Sequence, residues 1–277
     1  MTGADTALSF SGVTTASPPL ARPGHRLSWG VSDTLTVTWR NLIVYTRNPE
    51  FIFFSTIQPI MFVLLFRYVF GGAIHVHGTY VNYLMPGIFV QSLAFGSIGT
   101  AVGLAEDLQK GLLERFRALP MSRSAVLTGR TTADLVRNLL VAGVITAVGY
   151  AVGFRIGAGV VAFVAGLALV VLFAYALSWG FAAMGLVAPN SETAQVMAFP
   201  VLFPLIFASP AFVGVNTMPG WLRAFALHQP VGVVVTASRA LMNGGPTAHP
   251  VIQALAWIAG FLVVLVPLSV RQYRRRI

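Results

Sequence analysis

The chain of 277 residues contains no cysteine, which excludes disulfide staples and thiolate metal sites. Its single lysine is Lys110, and the rest of its 18 basic residues are arginine. A phosphate-cradling loop requires Gly-Lys-Ser/Thr, because the lysine reaches the terminal phosphates and the hydroxyl holds the metal. Lys110 stands between Gln109 and Gly111, so ATP hydrolysis by that route is excluded for this chain alone. Charge is scarce, at 9% of residues, with 8 acidic side chains in all. His75 and His77 stand two apart with no further metal-ligating residue near them. The pair reads as incidental, and no metal site is expected.

What the chain has in quantity is hydrocarbon: 56% of residues are hydrophobic, and the mean hydropathy is +0.77. This is too apolar for a soluble domain and fits a polytopic membrane protein. With about 20 apolar residues needed to cross a bilayer core, six spans are expected, at 50–70, 84–104, 138–154, 160–187, 193–213 and 250–270. The fold class is all-α. Pro59 interrupts the first span, and Pro200, Pro204 and Pro210 disfavour a straight fifth span. Ser92, Gly96, Gly99 and Gly103 are spaced for close helix packing, and Gly149, Gly153 and Gly157 continue that pattern. Residues 29–47 read as an interfacial helix with Val31, Leu35, Trp39 and Leu42 on one face. Asn48-Pro49 then starts the first span, as cap and first helical residue. Between 216 and 245 the chain is apolar but broken at Pro219-Gly220, Gln229-Pro230 and Gly244-Gly245. It predicts two short re-entrant or interfacial helices before the last span. Residues 1–27, rich in Ser, Thr, Ala and Pro, read as a disordered tail without a cleavable signal peptide.

The centres of the six runs carry no carboxylate or histidine. Ion-driven carriers place such groups there despite a cost of about 2.5–3.5 kcal/mol each. A proton- or sodium-driven carrier is therefore disfavoured, and so is a membrane hydrolase, which needs a converging acid, base and nucleophile. The net charge of +10 does not point to nucleic acid, because the basic residues lie in the tails and loops. Arg22, Arg26, Arg40, Arg47, Lys110, Arg115, Arg117, Arg123, Arg130, Arg137, Arg271, Arg274, Arg275 and Arg276 fall on one side. Only Arg67, Arg155, Arg223 and Arg239 fall on the other. That asymmetry predicts both termini in the cytoplasm.

One densely charged island remains, at 105–120. Read as a single helix, Leu108, Leu112, Phe116 and Leu119 share a face opposite Glu106, Lys110, Glu114 and Arg117, and Pro120 stops it. Such a helix between two spans needs lipid headgroups or another protein to meet at the membrane surface.

At these residues the chain resembles the permeases of type-two ATP-binding-cassette exporters, close to the daunorubicin-resistance permeases of actinobacteria. The resemblance runs from Trp29 onward. It is carried by Arg47-Asn48-Pro49, by Glu106-Asp107-x-x-x-Gly111-x-x-Glu114-Arg115-x-x-x-x-Pro120, by Met218-Pro219-x-Trp221-Leu222, by His228-Gln229-Pro230 and by Arg239. It implies a multi-pass permease of the bacterial cell membrane that exports a hydrophobic or amphiphilic compound, a drug or a lipid. It also implies pairing with a second permease and with two ATPase subunits on separate chains. ATP and Mg would be bound there and no cofactor by this chain, which is then not an enzyme. The charged helix becomes the coupling helix, with Glu106, Asp107, Lys110, Gly111, Glu114, Arg115 and Pro120 at the ATPase contact and Glu192 at a second one. The second and fifth spans line the path of the cargo, with Gln91, Phe95, Phe203 and Phe207 as wall residues. The alternative is a non-transporting scaffold whose charged helix recruits a cytoplasmic ATPase or enzyme.

Overall fold

The structure, a computed structural model, describes residues 26–47, 49–72, 78–111 and 123–276. Among these residues the regular elements are helical. They are α1 (Arg26–Arg47), α2 (Pro49–Leu64, continued by a π-helical stretch Leu65–Phe70), α3 (Tyr80–Gln109), α4 (Arg123–Ala151), α5 (Val160–Val187), α6 (Ser191–Phe207), α7 (Gly220–His228), α8 (Pro230–Asn243) and α9 (Ala248–Arg276). Four helices are long and apolar enough to cross a membrane: α3, Val126–Ala151 of α4, α5, and Ala248–Arg275 of α9. The expected first and fifth spans correspond to shorter apolar helices, Ser55–Phe70 and Ser191–Phe207. In α6 the cause is visible: the helix ends at Phe207, and Pro210 lies in the irregular stretch beyond it.

α3 is the hub. Nearly three-quarters of its most apolar stretch is buried inside the protein, and it packs on α5, α6, α4, α8 and α2. Two close approaches depend on glycine. A Cβ on Gly185 of α5 would strike the Ala101 backbone of α3, and one on Gly87 of α3 would strike the carbonyl of Ala211. Ser97 of α3 donates to the Ala174 carbonyl of α5 at 2.9 Å, which satisfies a hydroxyl inside an apolar contact. α9 lies at the periphery against α5 and α8, with Ile252, Val263 and Val264 exposed. An uncovered apolar face of this kind is what a helix in contact with lipid presents.

After α6 the chain is held by donors from other helices, because an irregular stretch has carbonyls that no helix satisfies. Arg239 of α8 donates to the carbonyl of Pro210 at 2.7 Å and to that of Tyr83 at 3.1 Å. Its guanidinium lies 3.7 Å from the centre of the Tyr83 ring. Tyr83 in turn donates to Pro210 and Val213, and Tyr80 donates to Phe212. Gln229 explains the His228-Gln229-Pro230 element. Its amide donates to the orphan Leu205 carbonyl near the end of α6 at 2.8 Å, and its oxygen caps α8 by accepting from Val231 at 2.9 Å.

Several expectations change. α1 begins at Arg26, inside the stretch read as tail. It buries Val37, Thr38, Asn41 and Tyr45 and leaves Leu35 and Trp39 exposed, so its protein-facing side is turned away from the expected apolar face. The island at 105–120 is not one helix. Ala105–Gln109 form the last turn of α3, and Gly111, at φ +64°, ends it in a left-handed conformation that glycine adopts without strain. The spacing 149–153–157 is not a packing ladder, since α4 ends at Ala151 and Gly153 turns the chain at φ +102°. His75, His77, Glu114, Arg115 and Pro120, and nearly all of the expected tail, lie outside the described residues.

Candidate functional site

The stripe Gly96, Gly99, Gly103 on α3 is the starting point. Glycines at this spacing ordinarily let another backbone approach. Here they admit arginine heads instead. A Cβ on Gly99 would stand 2.6 Å from Arg137 Nη1, and one on Gly103 would fall within the Arg130 guanidinium. Arg130, Asp134 and Arg137 occupy one face of α4, four and three residues apart, and that face lies along the glycine stripe. Arg137 donates to the Gly96 carbonyl and Arg130 to that of Gly99.

Asp134 is fully buried and is the anion of this cluster. One carboxylate oxygen accepts from the Tyr45 hydroxyl of α1 at 2.6 Å, and the other from Thr100 of α3 at 2.5 Å. Arg137 Nη1 stands 3.4 Å from the first oxygen and Arg130 Nε 3.9 Å from the second. The Tyr45 ring lies beside both guanidiniums, at 5.7 and 6.0 Å. Burial first, and the Asp134 carboxylate second, push the Tyr45 phenol well above its ordinary range. It therefore stays protonated and remains a donor. Nearer the end of α3, Asp107 pairs with Arg40 of α1 at 3.2 Å and faces Arg130 at 3.9 Å. The cluster thus ties three helices with charge-assisted contacts in a place where a lone charge is costly.

Beside this cluster a cleft of about 310 Å³ opens. Its walls are Ser55, Gln58 and Pro59 of α2, a stripe of α3 that includes Phe95, Gly96 and Gly99, Arg137 and Asn138 of α4, and Gln195 and Phe199 of α6. Phe95 and Phe199 face each other with ring centres 5.8 Å apart. Phe199 also begins an apolar groove along α6 formed with Val196, Pro200, Phe203 and Pro204.

The expected wall residues divide. Phe95 lines the cleft. Phe203 lines the adjoining groove and stacks on Phe207 at 4.3 Å, and both are exposed. Gln91 is buried, with neither amide atom hydrogen-bonded among the described residues. Of the expected coupling residues, Glu106 and Lys110 are exposed and paired with each other at 2.6 Å. That hydrogen bond raises the Lys110 pKa. Asp107 is engaged within the chain. Glu192 is in the first turn of α6, whose cap Asn190 accepts from Thr193 at 2.7 Å.

The buried cluster was not expected, because Asp134 and Arg137 were placed ahead of the third span. The candidate span Val126–Ala151 of α4 contains both, so the start of the third span, expected at 138, is corrected to an earlier position. A signal was present: three charges on one helical face, matched in spacing by three glycines on another.

Replacing Arg40 by alanine removes the ion pair with Asp107, which is partly exposed because the Arg40 side chain is 35% accessible. The expected loss of stability is below about 1 kcal/mol. A thermal shift of the purified protein of a few degrees or less checks this.

A family model described as "ABC-2 type transporter" matches residues 32–243. The chain is 34% identical over 247 residues to a protein of Streptomyces coeruleorubidus named daunorubicin resistance ABC transporter permease protein DrrB1, covering 89% of this chain and 87% of that one. It is 30% identical over 254 residues to the probable doxorubicin resistance ABC transporter permease protein DrrC of Mycobacterium tuberculosis, covering 88% and 89% of the two chains. A putative transport permease, ycf38 of Cyanophora paradoxa, is 22% identical over 218 residues, covering 77% of this chain and 75% of its own.

Proposed function

This chain belongs to the ABC-2 type transporter family, and from that premise we infer that it is the permease subunit of an ATP-driven exporter of a hydrophobic or amphiphilic compound. The observation that carries the reading is the cleft between α2, α3, α4 and α6, whose lining combines apolar and polar side chains. A path for an amphiphile needs both. Relatives named for resistance to daunorubicin and doxorubicin support a drug-like cargo, and a lipid shares the same chemistry.

The energy source is a separate ATPase that binds ATP and Mg, since this chain has no Gly-Lys-Ser/Thr element. Two permeases and two ATPases complete the transporter. α2 and α6 supply the remaining two of six spans, and α7 and α8 form re-entrant elements on the outer side. The excess of basic residues on one side, which persists when the largely buried Arg130 and Arg137 are left out of the count, supports cytoplasmic termini. The ATPase docks at the segment after α3, using Glu106, Lys110, Gly111, Glu114, Arg115 and Pro120, with Glu192 as a second contact. Asp107 acts from within the chain: through Arg40 and Arg130 it joins the end of α3 to α1 and α4. A push on the docking segment would therefore reach the floor of the cleft through charged contacts. ATP binding then switches the paired permeases from inward- to outward-open.

The test is co-expression with an ABC ATPase. The wild-type pair is expected to co-purify and to drive ATP-dependent accumulation of a fluorescent amphiphile, daunorubicin or a labelled fatty acid, in inverted vesicles. Glu114→Arg is expected to reduce both at least about tenfold, by placing like charge at the contact. Intact assembly and transport in that variant would reject the docking site. Transport by the purified chain with no nucleotide and no partner would reject the exporter reading.

A further inference from the structure

The cleft has a chemical bias beyond being amphipathic. Among its described lining residues there is one charged side chain, Arg137, and no carboxylate. Arg137 lies fourteen residues from each end of α4, which places it about 21 Å from either terminus. It is therefore a buried cation at the middle of α4 and inside the candidate span Val126–Ala151, and cationic side chains within spans are costly and mark sites of function. Next to it Asn138 is buried and also lines the cleft. Gln58, Gln195, Ser55 and Ser92 add amides and hydroxyls around the wall. The positions 91, 95, 98 and 102 form one stripe of α3, and the last three line the cleft. The fourth is Gln91, whose buried amide is without a hydrogen-bond partner among the described residues. Behind it Asp134 pairs with Arg137 at 3.4 Å and is shared with Arg130 at 3.9 Å, so two guanidiniums stand against one carboxylate, and an amine entering the cleft meets this positive excess with no acid on the lining. An oxygen-rich anion meets a planar donor and several amides. The groove from Phe199 to Pro204 along α6 is apolar and adjoins it.

We propose that the cleft is a head-group site for anionic amphiphiles. A carboxylate or phosphate seats on Arg137 and Asn138, and the apolar body lies along the α6 groove. The site rests on the exporter reading only for its place on a transport path. It admits two sources of the same chemistry, a free single-chain amphiphile or a membrane lipid.

The test uses the full-length chain in phosphatidylcholine nanodiscs, titrated with three fluorescent nitrobenzoxadiazole-labelled probes of one tail length: a dodecanoate, a dodecanol and a dodecylamine. Signal from empty nanodiscs is subtracted. The carboxylate is expected to bind at least about tenfold more tightly than the alcohol, and the amine no more tightly than the alcohol. Arg137→Gln is expected to bring the carboxylate within about twofold of the alcohol, while Arg137→Lys retains part of the preference. Ser92→Trp fills the cleft without touching an ion pair and is expected to weaken the carboxylate about tenfold. It decides the matter should Arg137→Gln fail to fold. Labelled phosphatidic acid compared with labelled diacylglycerol forms the lipid arm. Preference in both arms assigns lipid and free amphiphile to the site, and preference in the single-chain arm alone assigns the free amphiphile. Equal affinity for the three heads, a preference that survives Arg137→Gln, or carboxylate binding unchanged by Ser92→Trp overturns the proposal. ATP-dependent export by the assembled transporter is read separately. Export without head-group preference rejects this site alone, and head-group preference without export rejects the exporter reading alone.

Discussion

Replacing Asp134 by leucine is expected to destabilise the permease by about 3–5 kcal/mol, the cost of breaking a buried ion pair by removing one partner. The carboxylate is shared by Arg130 and Arg137 and accepts from both Tyr45 and Thr100. Leucine leaves two guanidiniums close together in a buried place, and two hydroxyls lose their acceptor. The effect reaches beyond α4, because Tyr45 belongs to α1 and Thr100 to α3, so three helices lose a common anchor. Asp134→Asn keeps an oxygen for the hydroxyls and loses only the charge, and its loss is expected to fall between those of wild type and Asp134→Leu. Thr100→Val removes one charge-assisted hydrogen bond, worth about 1.5–3 kcal/mol. The measurement is the fraction of each variant that remains monodisperse in mild detergent after a heating series. The ranking Leu, then Asn, then wild type is expected. An Asp134→Leu protein that melts with wild type would show that the cluster is not what joins these helices.

The second large effect is expected on the other side of the molecule. Arg239→Met preserves much of the side-chain volume and removes the donors. The carbonyls of Tyr83 and Pro210 lose charged partners at 3.1 and 2.7 Å, and the Tyr83 ring loses a cation 3.7 Å from its centre. Hydrogen bonds to charged groups contribute about 1.5–3 kcal/mol, and the ring contact up to about 2 kcal/mol when desolvated. Because Tyr83 still donates to Pro210, the losses are not additive, and a total of about 3 kcal/mol is expected. The segment beyond α6 should loosen first, since the helical ladder ends with Ala208 donating to the Pro204 carbonyl. Hydrogen exchange over residues 208–214 is therefore expected to accelerate in the variant while α5 and α9 remain protected. Unchanged exchange there would mean that Tyr80 and Tyr83 hold the segment without the arginine. Arg239→Lys tests geometry: one ammonium cannot reproduce the planar fork, and partial loss is expected.

The relation between sequence and structure is clearest at three places. Composition alone determined that the chain is helical and membrane-embedded, because 56% hydrophobic residues in long runs leave the backbone no water to bond with and force each segment to satisfy itself. The residues that end helices were also legible. The turn at Asn190 and the break at Pro230 stand where α6 and α8 begin and act through local backbone chemistry, whereas Pro210, read inside the fifth span, lies beyond the end of α6. The lone lysine excluded one class of ATPase chemistry outright.

Other features depend on which helix lies beside which, and no local pattern reports that. The stripe of Gly96, Gly99 and Gly103 reads in sequence as a surface for another backbone. Only the packing of α4 on α3 shows that the space is taken by the heads of Arg130 and Arg137. Asp134 reads as a polar residue near a boundary, and its burial follows from α1 closing over it with Tyr45 from 89 residues away. The cleft draws on four helices, and only the α3 and α6 walls were anticipated. Local sequence settled the helical class and several of the breaks between helices, since those depend on hydrogen bonds and hydrocarbon within a few residues. The charged floor was decided by tertiary contact, since a buried ion is tolerable only where distant segments bring its counter-charges to it.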